Sequence, residues 1–149
     1  MKEYDYLFKY LEVEGININK EEFIFQVQSH PDYPSLLSIS DTLSFLKVNS
    51  YAASISKDEI IGLPKYFIAF LNVELREPTM FFVKNDSENF YKLYSKNAEE
   101  VIDKKELESR WKDIVLIAEP RDRNQKKFDS KNNIFLFFKS INSGKKFLF

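Results

Sequence analysis

The chain of 149 residues contains no cysteine. That removes thiol nucleophiles, thiolate metal sites and disulfides together, and leaves nothing to report a redox compartment. It has one histidine, His30, so a zinc site would have to be built from carboxylates, and no metal is expected. Its three glycines, at positions 15, 62 and 144, cannot form a glycine-rich phosphate loop. Kinases and dinucleotide enzymes are thereby excluded, and no cofactor is expected. No stretch approaches the ~20 apolar residues of a membrane span. The opening MKEYDYLFKY carries acids where a secretory signal needs an apolar run.

What remains is rich in rings: 15 Phe and 8 Tyr dominate an aromatic content of 16%. One domain of this length buries well over half of the surface its unfolded chain exposes, so no staple is required. The net charge of -1 hides an asymmetry. Residues 1–120 hold 14 Lys+Arg against 21 Asp+Glu, a net of -7, whereas residues 121–149 hold eight against two, a net of +6. A mildly acidic body, 1–118, is expected to carry a basic aromatic linker or juxtamembrane tail, 119–149. Such a tail can meet an anionic membrane surface through Lys and Arg with Phe at the interface. The body has no basic face in sequence, so nucleic acid is not an expected partner.

Hydrophobic spacing changes part-way along the chain. From Tyr4 to Val13, Leu7, Phe8 and Leu11 recur at helical intervals, and Gly15 supplies a stop. Asn19 with Glu22 three residues on reads as a capping box for a second helix ending before Pro31. Pro34 suits the first turn of a third, whose stripe is Leu36, Ile39, Leu43 and Leu46. After Lys47 the period becomes that of strands: Val48–Ile55, Tyr66–Asn72, Thr79–Val83, Phe90–Tyr94 and Ile114–Ala118. A helical turn is expected at Lys57–Ile61, a polar turn at NDSE (Asn85 to Glu88), and a short helix from Asp103 to Trp111. The acid pairs Glu21-Glu22, Asp58-Glu59 and Glu99-Glu100 read as polar helix starts, not general acid–base pairs. Helices first and an antiparallel sheet second predict the α+β class.

The stretch QVQSHPDYPSLLSISDTLSFLKV poses the main chemical question, because His30 stands beside Asp32 and Ser35. A triad needs the base in line between nucleophile and carboxylate, and three side chains within one turn rarely converge so. Pro31 and Pro34 make the stretch a constrained corner, where Asp and Ser ordinarily cap free backbone N–H groups. The expected role is structural, with Tyr33 packing beside the third helix.

From Gly15 to Pro120 the order of elements and several motifs resemble the papain-like peptidase domain at the N-terminus of bacteriocin exporters. This is family thirty-nine of the clan CA cysteine peptidases, which cut double-glycine leader peptides. HPDYPSLLSISDTLSFLKVNSYAAS and KDEIIGLPKYFIAFLN carry the likeness. The wording of HPDYPSLLSISDTL is closest to a Bacteroidetes type fused to vitamin K epoxide reductase-like membrane domains. The resemblance implies a papain-like fold, with N-terminal helices on an antiparallel sheet. It places the catalytic cysteine near Lys2, the catalytic histidine at Thr79 or Met80, its orienting Asp near Ser95, and the oxyanion Gln before Met1. None of these residue types stands at its matched position, and His30 lies outside all of them.

The resemblance thus implies a peptidase-like domain that is not an enzyme. Its partner would be a peptide or unfolded segment, received by a strand edge and flanking aromatics. His30, Tyr33, Tyr51, Tyr66 and Phe82 are the candidate contacts, with no catalytic and no metal-binding residue. The expected place is the cytoplasm, at the inner face of a membrane. Two other readings are an assembly or regulatory domain of a membrane protein with no peptide ligand, and a hydrolase using His30.

Overall fold

The computed structural model describes residues 3–96 and 98–119, so the basic tail expected from residue 119 lies outside the described residues except for Glu119. Three helices come first. In α1 (Asp5–Val13) Tyr6, Leu7, Phe8, Tyr10 and Leu11 are buried, and Gly15 ends the element at φ 73°, where a side chain would be disfavoured. In α2 (Lys20–Gln28) the side chain of Asn19 accepts from the Glu22 N–H at 2.9 Å. The expected reciprocal half of that box is replaced by another contact: Glu22 accepts from Gln26 Nε2 at 2.8 Å.

Pro34 does not enter the third helix. Ser35 is the N-cap and α3 spans Leu36–Phe45. Ser35 and Ser38 cap each other, each backbone N–H donating to the other's hydroxyl at 3.0 Å. That reciprocal box fixes the N-cap one residue beyond the proline and the first helical residue two beyond it. Of the two residues expected to cap here, Ser35 does so; Asp32 contributes its backbone N–H to His30 instead.

Six strands follow: β1 (Asn49–Ser54), β2 (Tyr66–Val73), β3 (Arg76–Ser87), β4 (Phe90–Tyr94), β5 (Glu99–Asp103) and β6 (Trp111–Glu119). A 3-10 turn covers Lys57–Gly62 and α4 covers Lys104–Arg110. The sheet order is β1-β6-β2-β3-β4-β5, with every pair antiparallel. Three expectations change. β5 forms where Glu99-Glu100 suggested a helix start: each of its residues pairs with β4, from Glu99↔Tyr94 to Asp103↔Phe90. β3 runs through Asn85-Asp86-Ser87, because Asn85 pairs with Tyr91 and its N–H bonds Lys65, so the turn moves to Glu88 and Asn89. Trp111 opens β6 rather than closing α4, and its indole N–H donates to the Ile55 carbonyl at 2.7 Å.

Strand alternation splits the core in two. Ile68, Phe82, Leu116 and Ala118 face the helices and meet Leu7, Tyr10, Leu11, Phe23, Ile39 and Leu43. Their sequence neighbours Phe67, Ala69, Phe81, Val83, Val115 and Ile117 face the other way, where Ile60 of the 3-10 turn and Leu107 of α4 cover them. The sheet is therefore covered on both faces, more lightly on the second.

Candidate functional site

The five aromatic and histidine positions expected to touch a peptide fall in three places. His30 sits on the corner between α2 and α3. Its Nδ1 accepts the Asp32 N–H at 3.0 Å, so the proton is on Nε2, which donates to the Asp41 carboxylate at 2.8 Å. Both ring nitrogens are thus engaged. The carboxylate partner is Asp41 and not Asp32, and the Ser35 hydroxyl is committed to capping α3. The adjacent Tyr33 donates its hydroxyl to Glu3, at 3.1 Å to the nearer oxygen.

Tyr51 lies on the edge strand β1 and donates to Glu119 at 3.2 Å, tying that edge to the end of β6. Burial first, then the charge of Glu119, pushes its hydroxyl pKa up. Tyr66 and Phe82 belong to a ring cluster under α1. Phe82, only 1% exposed, stacks on Tyr94 at 5.0 Å and meets Tyr10 at 5.6 Å and Tyr66 at 6.1 Å. A ring so enclosed shapes a surface from beneath.

A concavity lies elsewhere among the described residues. A cavity of about 720 Å³ opens where the start of the helical layer meets one end of the sheet. Tyr4, Tyr6 and the corner at Pro34 and Ser35 form one wall. The β2–β3 hairpin forms the other, with Phe70, Pro78, Thr79 and Met80, and the β4–β5 connection adds Ser95, Lys96 and Ala98. None of the five expected contacts lines it, although Tyr33 touches it through Glu3 and Pro34, which do.

Local sequence explains how these walls are held. The β2–β6 ladder shifts register between Ala69 and Leu71, and the β2–β3 ladder between Leu71 and Val73. Such irregularities bend a strand and re-aim its side chains, here beside Phe70. Ser95 closes the β4–β5 connection, its N–H donating to the Ala98 carbonyl at 2.9 Å. Arg110 braces the far end. Its Nε donates to the Asn72 carbonyl at 3.1 Å, its Nη1 lies 3.5 Å from both Glu100 and Glu106, and it sits 5.4 Å above the Phe81 ring.

Tyr4 and Tyr6 are buried, which pushes both hydroxyl pKa values well above the usual tyrosine range; Glu3 and then Tyr33 add to the effect on Tyr4, and Tyr4 and then Glu3 to that on Tyr6. At neutral pH both hydroxyls therefore keep their protons. Across the cavity from them Phe70, Pro78 and Met80 supply apolar surface, and Glu3, Glu74, Arg76, Lys96, Glu100 and Arg110 bring charge to the lining.

No protein-family model and no curated protein matches the chain. Solved structures do. The peptidase domain of Streptococcus ComA, a bi-functional ABC transporter involved in a quorum-sensing pathway, is similar with a TM-score of 0.61 at 13% identity, over 74% of this chain and 85% of that one. The peptidase domain of Streptococcus mutans ComA, solved with a small-molecule inhibitor, is similar with a TM-score of 0.52 at 14% identity, over 62% and 80%. The fold is that of a transporter peptidase domain. Two of the four positions named by the resemblance fall among the described residues: Thr79 or Met80, and Ser95, and these line the same cavity. Lys2, matched to the cysteine, lies outside the described residues.

Sequence reading missed the partners more than the positions. Asp41 is eleven residues from His30, and nothing in their spacing announces the pair. Arg110 was more accessible, since Glu106 stands one helical turn before it.

Proposed function

We propose that this chain is a non-cutting peptidase-fold domain that holds an extended peptide in the cavity between α1, the Pro34 corner and the β2–β3 hairpin. The observation that carries the reading is that Thr79, Met80 and Ser95 line one cavity, together with the apolar surface of Phe70 and Pro78. The chain has no thiol, and Thr79, Met80 and Ser95 put neither an imidazole nor a carboxylate at the positions matched to the catalytic histidine and its orienting Asp, which supports a non-cutting role. Extended peptides bind such clefts through backbone hydrogen bonds and pockets for alternate side chains, which the strand end and rings provide.

Two finer points belong to the same proposal. The domain serves a membrane exporter or oxidoreductase, the second by its likeness to the type fused to vitamin K epoxide reductase-like domains. It works at the inner membrane face, to which the net +6 of residues 121–149 would be drawn.

The test has two arms. Incubation of the purified chain with synthetic double-glycine leader peptides, followed by mass spectrometry, should leave them intact; cleavage that disappears in His30→Ala would overturn the reading. Selection of binders from a random dodecapeptide phage library should return peptides whose affinity falls about a hundredfold in Met80→Arg, a charge placed in an apolar wall. Failure to find any binder sensitive to that change would remove the cavity as the site.

A further inference from the structure

Glu74 and Leu75 form the two-residue turn between β2 and β3, closed by the Val73↔Arg76 pair. Leu75 combines two unfavourable features. Its φ of 61° lies in the left-handed region that a side chain disfavours, and its side chain is 98% exposed. Among the described residues the others at positive φ are Gly15, Lys47 and Asp113, two of them polar and one without a side chain. An aspartate or glycine is at ease in such a conformation, whereas leucine gains nothing from it. With almost all of its surface in water, Leu75 gains no packing in the folded chain to offset the strain. Strain at a sparsely populated backbone position is a feature that points toward function.

Its location says which function. The residues on either side, Val73, Glu74 and Arg76, line the cavity, and Phe70, Pro78 and Met80 continue its apolar wall inward. Resting on the proposed peptide site, we infer that Leu75 is an apolar rim contact of that site. It covers a large apolar side chain of the bound peptide where the peptide leaves the cavity over the hairpin tip. Glu74 and Arg76 flank it with opposite charges, and neither makes an ion pair among the described residues. The contact therefore favours a peptide that is apolar at this point over one that carries charge of a single sign.

Leu75→Gly and Leu75→Asn separate this role from a structural one, because both suit the left-handed backbone. The full chain would be measured against the most enriched dodecapeptide of the selection described above. Both variants should keep their melting temperature or gain about 1–3 °C, and both should bind the peptide about tenfold more weakly. Unchanged affinity in both variants overturns the rim contact and leaves the cavity reading intact. A melting temperature lower by several degrees also overturns it, since Leu75 would then serve the fold. If no selected peptide responds to Met80→Arg, the cavity reading fails and the inference fails with it.

Discussion

The corner at His30 and the cavity at Met80 are adjacent parts of one surface with opposite characters. At the corner, the imidazole has a partner on each nitrogen and Ser35 caps a helix, so the residues that look most like an active site are committed to holding α2 and α3 together. At the cavity, residue types with little chemical reputation enclose an open volume. Catalytic appearance comes from residue type, whereas the capacity to bind comes from what a side chain has left to offer once the fold has used it. Engagement is the better guide.

That contrast can be strained from the cavity side first. Tyr4 and Tyr6 have hydroxyl pKa values raised in the folded state above the ordinary ~10 of the unfolded chain. Below about pH 10 both states keep these protons and the two groups add no pH dependence. Above it the unfolded chain releases protons that the folded wall retains, so stability falls as pH rises, by about 1.4 kcal/mol per pH unit for each group. Melting temperatures measured between pH 8 and 12 should drop steeply at the alkaline end. The double variant Tyr4→Phe, Tyr6→Phe should show a visibly shallower slope; an identical slope would mean that these hydroxyls ionise freely.

Effects at the corner should be smaller and purely structural. Ser35→Ala removes the α3 cap and should cost about 1 kcal/mol, or a few degrees of melting temperature. Smaller still is His30→Ala. The Asp41 carboxylate is 54% exposed, so the pair is screened and its loss should cost roughly 0.5 kcal/mol. A large loss of peptide affinity in His30→Ala, with stability held, would dissolve the distinction between corner and cavity.

Much of the fold was legible because period carries it. The switch from helical to strand spacing after Lys47 placed five of the six strands, and Phe90–Tyr94 has the bounds expected of it. β5 was illegible for a physical reason. EEVID has charges where a strand pattern needs apolar residues, since it is an edge whose outward positions meet water, and its strand character comes from pairing with β4. The start of α3 was missed by two residues because proline propensity gave way to a serine–serine box. The cavity is not written in any local pattern, although the family resemblance singled out Thr79, Met80 and Ser95 of its lining. Tyr4, Pro34, Met80 and Ser95 are brought together only by the antiparallel return of the chain, and no local pattern encodes that meeting.

The phenol of Tyr10 reaches across from α1 to the last strand, accepting the Ala118 N–H at 2.7 Å and lying 3.4 Å from the Ala118 carbonyl. Seen as mechanics, this is an anchor between α1 and β6. β6 lies between β1 and β2, so a pull on the polypeptide beyond Glu119 loads two antiparallel ladders along their length, with many hydrogen bonds resisting at once. The tyrosine passes part of that load to α1, whose first turn walls the cavity. Tension applied at the C-terminal end of the domain therefore has a short route to the site, through a single ring and one turn of helix.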